Sequence, residues 1–201
     1  MTRAAFWRWL LLLTLLASGL GYIALFAFFV SQSEDHIAAR RRDAVCARGH
    51  LPVGTQSISF ASTAIDRDMV ASGWSGPEDW GLWSAERRAL LVLPTPAGLT
   101  GDGELEFDLL APTNRKFPLA TVDVALAGRT LAQWQLREGV NKESSQRLLI
   151  PAELLAGRSC VILELRFAHA FRPSKHRLGR DGRLLGIGLK AVRWQGTAAR
   201  P

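Results

Sequence analysis

The sequence predicts a mainly β protein: an antiparallel, jelly-roll-like β-sandwich preceded by one N-terminal transmembrane helix. Three observations carry that prediction. Leu10 to Val30 contains no acidic or basic side chain. From Gln56 onward, apolar residues recur at every second position. The recurring runs are separated by turn chemistry rather than by long helical patterns. The chain has 201 residues, 48% of them hydrophobic, including seven Trp and nine Phe, which excludes a disordered polypeptide. Its length fits one domain of roughly 100–150 residues plus a short appendage, which excludes a multi-domain enzyme and a polytopic transporter.

The formal charge of +7 divides unevenly. Residues 1–30 contribute Arg3 and Arg8 alone, and the remaining 23 basic and 18 acidic side chains net +5. Interspersed charges of both signs argue against nucleic acid as a partner.

Taken in order, residues 1–9 form a short tail and residues 10–30 the expected membrane helix. An α-helix over that run spans about 30 Å, the thickness of the hydrocarbon core. Phe6, Trp7 and Trp9 flank one end, and Tyr22, Phe26, Phe28 and Phe29 lie toward the other, as an aromatic belt would. A cleaved signal peptide is the rival reading, but its apolar region is about 7–15 residues, shorter than this run. The short tail and the acidic far flank, Glu34 and Asp35, favour an N-in, C-out orientation, against the later basic group Arg40, Arg41, Arg42 and Arg48. Thr14, Ala17, Ser18, Gly21 and Ala24 make a stripe of small side chains at helical spacing. In lipid such a stripe lets another helix approach closely, and small residues are also simply common in membrane helices.

Residues 31–55 read as a polar juxtamembrane connector, and residues 56–195 as the sandwich, with 196–201 a tail. Strand patterns place Ile58 and Phe60, then Leu105, Phe107 and Leu109, then Val122, Val124 and Leu126 on buried faces. Val161, Leu163, Leu165 and Phe167 follow, and finally Leu185, Ile187 and Leu189. Turns are expected at Pro94–Pro96, Gly101–Gly103, Ala127–Arg129 and Asp181–Gly182, with one short helix near Pro151–Leu155.

No nucleophile elbow, Walker loop, dinucleotide fingerprint or zincin pair is present, so the chain is expected to be non-catalytic and without cofactor or metal. His169 continues the buried parity of its strand and is expected to be a partly buried imidazole. Cys46 and Cys160 are candidates for a disulfide tying the stalk to the sandwich if the domain lies outside the cytoplasm, and two independent free thiols are the alternative, since spacing alone does not fix their Cα geometry.

The most informative stretch is Gly73-Trp74-Ser75-Gly76-Pro77-Glu78-Asp79-Trp80-Gly81-Leu82-Trp83-Ser84. Three indoles beside carboxylates supply what a sugar site needs, a flat apolar platform with a few polar groups. Trp74, Glu78, Trp80 and Trp83 are therefore candidate ligand-binding residues. The competing reading is a tryptophan plug closing one end of the sandwich.

This stretch resembles the G-[WFL]-S-x-x-E-x-W-G-x-W-[ST] motif of the C-terminal β-sandwich domain of bacterial membrane phosphoglycerol transferases, a domain shared with some membrane glycosyltransferases. Leu110-Ala111-Pro112-Thr113-Asn114 resembles that domain's A-x-x-P-N turn, with altered spacing. Asp181-Gly182-Arg183-Leu184-Leu185-Gly186-Ile187-Gly188-Leu189 resembles its closing D-x-R-x-L-G-I-x-L motif, with Arg180 where Ser is common. The resemblance spans roughly 56–195 and implies an outward-facing, carbohydrate-binding-module-like domain concerned with glycans, here without the transferase's catalytic domain. Asp181 and Arg183 are expected beside Glu78 and the tryptophans, as a clasp on the loop or a clamp on sugar hydroxyls.

The function expected is thus a bacterial inner-membrane, single-pass accessory protein of cell-envelope polysaccharide synthesis, with its sandwich in the periplasm. Its expected partners are the lipid bilayer, a membrane glycosyltransferase or other envelope-glycan enzyme, and polysaccharide. The alternative is a purely structural assembly subunit with no ligand of its own.

Overall fold

The computed structural model describes residues 3–51, 57–138 and 142–195. The chain divides into two compact units, Met1–Ala38 and Ala39–Pro201. Helix α1 runs Arg3–Ala47, so helical backbone occupies the expected membrane segment and also much of what the sequence suggests is a connector. Among the described residues no helix is long and apolar enough to cross a membrane. The side chains of Leu10, Leu11, Phe29 and Val30 lie outside the described residues, as do 52–56 and the tail 196–201. The expectation of a spanning helix therefore rests on the sequence. Within α1, Leu12, Leu16, Leu20, Ile23 and Phe26 are 57–66% exposed.

The second unit is built from two five-stranded antiparallel sheets. Its strands are β1 (Ser57–Ser59), β2 (Val70–Ser72), β3 (Leu82–Trp83), β4 (Arg88–Pro94) and β5 (Gly103–Leu110). They continue with β6 (Leu119–Leu126), β7 (Arg129–Arg137), β8 (Glu143–Ile150), β9 (Cys160–Phe167) and β10 (Gly188–Gln195). One sheet has the order β1-β10-β5-β8, with β3 also pairing with β10; the other is β2-β4-β9-β6-β7. A four-residue helix α2, Ala152–Leu155, follows β8.

Alternation explains the layering. β5 is buried at every second residue, with Leu105, Phe107 and Leu109 facing inward and Glu104, Glu106 and Asp108 outward. β9 and β6 present Leu163, Leu165, Val122 and Val124 from the opposite sheet into the same core. Two tryptophans reach between the sheets and satisfy their only polar group on the far side. Trp194 of β10 donates its indole N–H to the Pro94 carbonyl at 3.0 Å, and Trp134 of β7 donates to Arg147 of β8 at 3.3 Å.

The last turns of α1 and the residue just after it belong to this unit and are tied to β2, to the segment before β2 and to β9. Arg41 donates to the Val70 carbonyl, Arg48 pairs with Asp66 and Asp68, and Val45 is buried. Cys46 is joined to Cys160 at the start of β9 by a disulfide with Cα atoms 5.1 Å apart. The expectation for His169 fails: β9 ends at Phe167, so strand parity no longer applies and the imidazole is exposed.

Candidate functional site

The sequence's two end motifs fold into one structure. Residues 78–81 form a tight loop in which the Glu78 N–H donates to the Gly81 carbonyl at 2.6 Å. The chain then pairs β3 with β10, Leu82 opposite Leu189 and Trp83 opposite Gly188. Gly81 is required here: it has φ +152°, and a Cβ would lie 2.2 Å from the Leu189 carbonyl oxygen. Gly188 is required for space, since its Cβ would come within 2.7 Å of the Trp80 ring. Buried Ser84 completes the join, its Oγ accepting the N–H groups of Gly186 and Ile187 at 2.8 and 3.0 Å.

Over this backbone lies a charged clasp. Arg183 donates from Nε and Nη2 to the Asp181 carboxylate, with Nη2 to Oδ2 at 2.7 Å, and from Nη1 to Glu78 Oε1 at 2.8 Å. Glu78 Oε2 accepts the Trp80 indole N–H at 2.9 Å. The Arg183 hydrogen bonds hold the Asp181 carboxyl below its ordinary range, against the opposing effect of burial. The same bonds, Asp181's first, push the guanidinium up, and it stays charged throughout.

The candidate residues therefore divide. Glu78, Trp80, Asp181 and Arg183 are brought together, and their polar atoms are largely engaged with one another. Trp74 stands apart from them: it packs on the core and donates its indole N–H to the Leu90 carbonyl at 3.0 Å. That makes it a packing residue, because a half-buried ring whose N–H is spent on backbone offers little to a ligand. Trp83 is half-buried, meets Trp80 edge-on with ring centroids 5.3 Å apart, and its indole N–H has no protein partner among the described residues. On α1, Thr14, Ala17, Ser18, Gly21 and Ala24 are all exposed.

Trp83 also lines a cleft of about 410 Å³. The turn Leu110–Asn114 also lines it, and there Asn114 Oδ1 accepts the N–H groups of Lys116 and Phe117 and fixes the bend. Phe171, Pro173, Leu178 and Leu185 complete the apolar lining, and Lys142 and Glu143 supply charge at the edge. Thr113 Oγ1, in the wall, is buried without a hydrogen-bond partner. An apolar wall with an indole and a few polar groups has the composition of a small-ligand site. Sequence reasoning names Trp83 and the Leu110–Asn114 turn separately. It misses Lys142, Phe171 and the cleft itself, because no local pattern signals which loops meet at one end of a sandwich.

No protein-family profile matches this chain, and no curated protein matches it. Among solved structures, it is similar to a family GH115 4-O-methyl-α-glucuronidase with specificity for decorated arabinogalactans. That match has 14% identity and a TM-score of 0.39, and covers 63% of this chain and 15% of the other. It is similar to carbohydrate-binding module CBM36, solved with calcium and xylotriose, at 9% identity and TM-score 0.34, covering 62% of this chain and 87% of the module. It is also similar to dimeric latent PorU from Porphyromonas gingivalis, at 9% identity and TM-score 0.38, covering 73% of this chain and 13% of that one. At these scores the likenesses carry no argument about function.

Proposed function

We propose that the protein is a non-catalytic, membrane-anchored accessory of cell-envelope glycan synthesis or modification, whose sandwich holds glycan in the Trp83 cleft. The observation that carries this reading is the cleft: Trp83, whose indole N–H has no partner among the described residues, shares the lining of a hollow of about 410 Å³ with apolar side chains, Thr113, Asn114, Lys142 and Glu143. The uncharged run Leu10–Val30 supports the anchor, and the Cys46–Cys160 disulfide supports an oxidising compartment such as the periplasm. The clasp supports the site indirectly, by fixing Trp80 against which Trp83 rests.

The test is glycan binding by the full-length chain in nanodiscs, with and without Trp83→Ala. Binding that falls about tenfold in the variant, at unchanged secondary structure, is expected for a stacking platform worth about 1.4 kcal/mol. No binding to any envelope glycan overturns the reading. The assembly-subunit alternative draws support from the internal engagement of Glu78, Trp80 and Arg183. In that case the chain co-purifies with a membrane glycosyltransferase but ignores glycan.

A further inference from the structure

The segments around the Trp83 cleft carry cations that the protein does not neutralise. Arg115 and Lys116 stand in the turn between Asn114 and Phe117, and Lys142 lines the cleft itself. Lys175, Arg177 and Arg180 belong to the segment whose Pro173 and Leu178 form the lining. All six are exposed, and none makes an ion pair among the described residues. Exposed cations without an ion pair also occur elsewhere among the described residues, as at Arg67, Arg87 and Arg158, but six stand together at this end. On the outer sheet faces Arg88 and Arg166 meet Glu164, Arg147 meets Glu104, and Arg193 meets Asp108.

Aromatic stacking holds these cationic segments together. Phe117 lies parallel to Phe171 with centroids 4.2 Å apart, and His176 meets Phe117 edge-on at 4.7 Å. The acids nearby do little to cancel the charge: Arg183 already occupies Glu78 and Asp181, which leaves Glu143 as the carboxylate among the lining residues.

We infer that the ligand of the cleft is an acidic glycan, a sugar chain bearing uronate carboxylates, with a ring on Trp83 and its charges against this rim. The inference rests on the proposed glycan-binding reading and adds the substrate class. A concave site with an indole wall suits a sugar unit, whereas an anionic bilayer needs only a flat basic surface. Exposed cations act through screened attraction, so the preference for acid must weaken with salt.

The experiment uses the full-length chain in phosphatidylcholine nanodiscs. Its ligands are oligoglucuronates and oligogalacturonates, each paired with its carboxyl-reduced, neutral counterpart, at low and high salt. The acidic member of a pair is expected to bind about tenfold tighter at low salt, an advantage that high salt removes. The exposed-site triple variant Lys116→Gln, Lys175→Gln, Arg180→Gln loses the same tenfold while binding the neutral counterpart as before. Lys142→Gln alone shows a smaller loss of the same kind. Equal binding of acidic and neutral members overturns the inference and leaves the glycan-binding reading intact. Failure of both members overturns that reading itself. Binding to phosphatidylglycerol vesicles that the triple variant abolishes, with no preference among sugars, also overturns the inference and assigns the rim to lipid.

Discussion

Arg183 shows how one side chain joins two motifs that lie far apart in the sequence. Its guanidinium is planar and forked, so it can grip Asp181 with two nitrogens and still offer a third to Glu78. Because side chains in this network are about one-third exposed, solvent weakens each contact, and the set is worth on the order of 1 kcal/mol. Arg183→Lys should lose most of that stability, since an ammonium cannot reproduce the bidentate geometry; urea unfolding followed by tryptophan fluorescence measures it. Protonation gives an independent check. Asp181 titrates lower in the folded protein than in the unfolded chain, where a carboxyl has a pKa of about 3.9. Its contribution is therefore complete above that value and fades as the pH falls through the lower folded value. Wild type should exceed Asp181→Asn in stability near neutral pH and converge with it below about pH 4. A difference that stays constant down to acid pH contradicts the clasp.

The strand-and-turn elements were the most legible part of the fold. Period-two runs placed β5, β6 and β9 with their inward residues correct, because each has one face in the core and one in solvent. β4, β7 and β8 are not legible in the sequence. β4 is buried on both faces beyond Leu90, so it lacks alternation, and β7 and β8 open with polar residues. The clasp was legible because its residues carry opposite charges in two recognisable motifs. The cleft was not, because Trp83, Pro112, Lys142 and Leu178 meet only through sheet topology. The glycines of the β3–β10 join have a measurable role. Gly188→Ala should displace Trp80 and cost about 1–3 kcal/mol, with a change in near-ultraviolet circular dichroism. Gly76→Ala, whose added Cβ would meet nothing within 4 Å, serves as the control and should be nearly neutral.

For the molecule as a whole, the covalent tie between Cys46 and Cys160 closes a loop with a sequence separation of 114 residues. A loop of that size restricts the unfolded chain enough to stabilise the fold by up to about 4–5 kcal/mol. Cys46→Ser with Cys160→Ser should lower stability by a large part of that amount, and neither cysteine of the wild type should react with an alkylating thiol reagent without prior reduction. Sheet order has another consequence, for biogenesis. β10 is the strand that β1, β3 and β5 all require as a neighbour, and it is made after every one of them. Glu78 must likewise wait for a partner 105 residues downstream. At a synthesis rate of about 5–20 residues per second, the nascent chain spends several seconds with β5 lacking one of its two neighbours and its inner face uncovered. A chain with that order of assembly is a natural client for holding chaperones until its final strand has emerged.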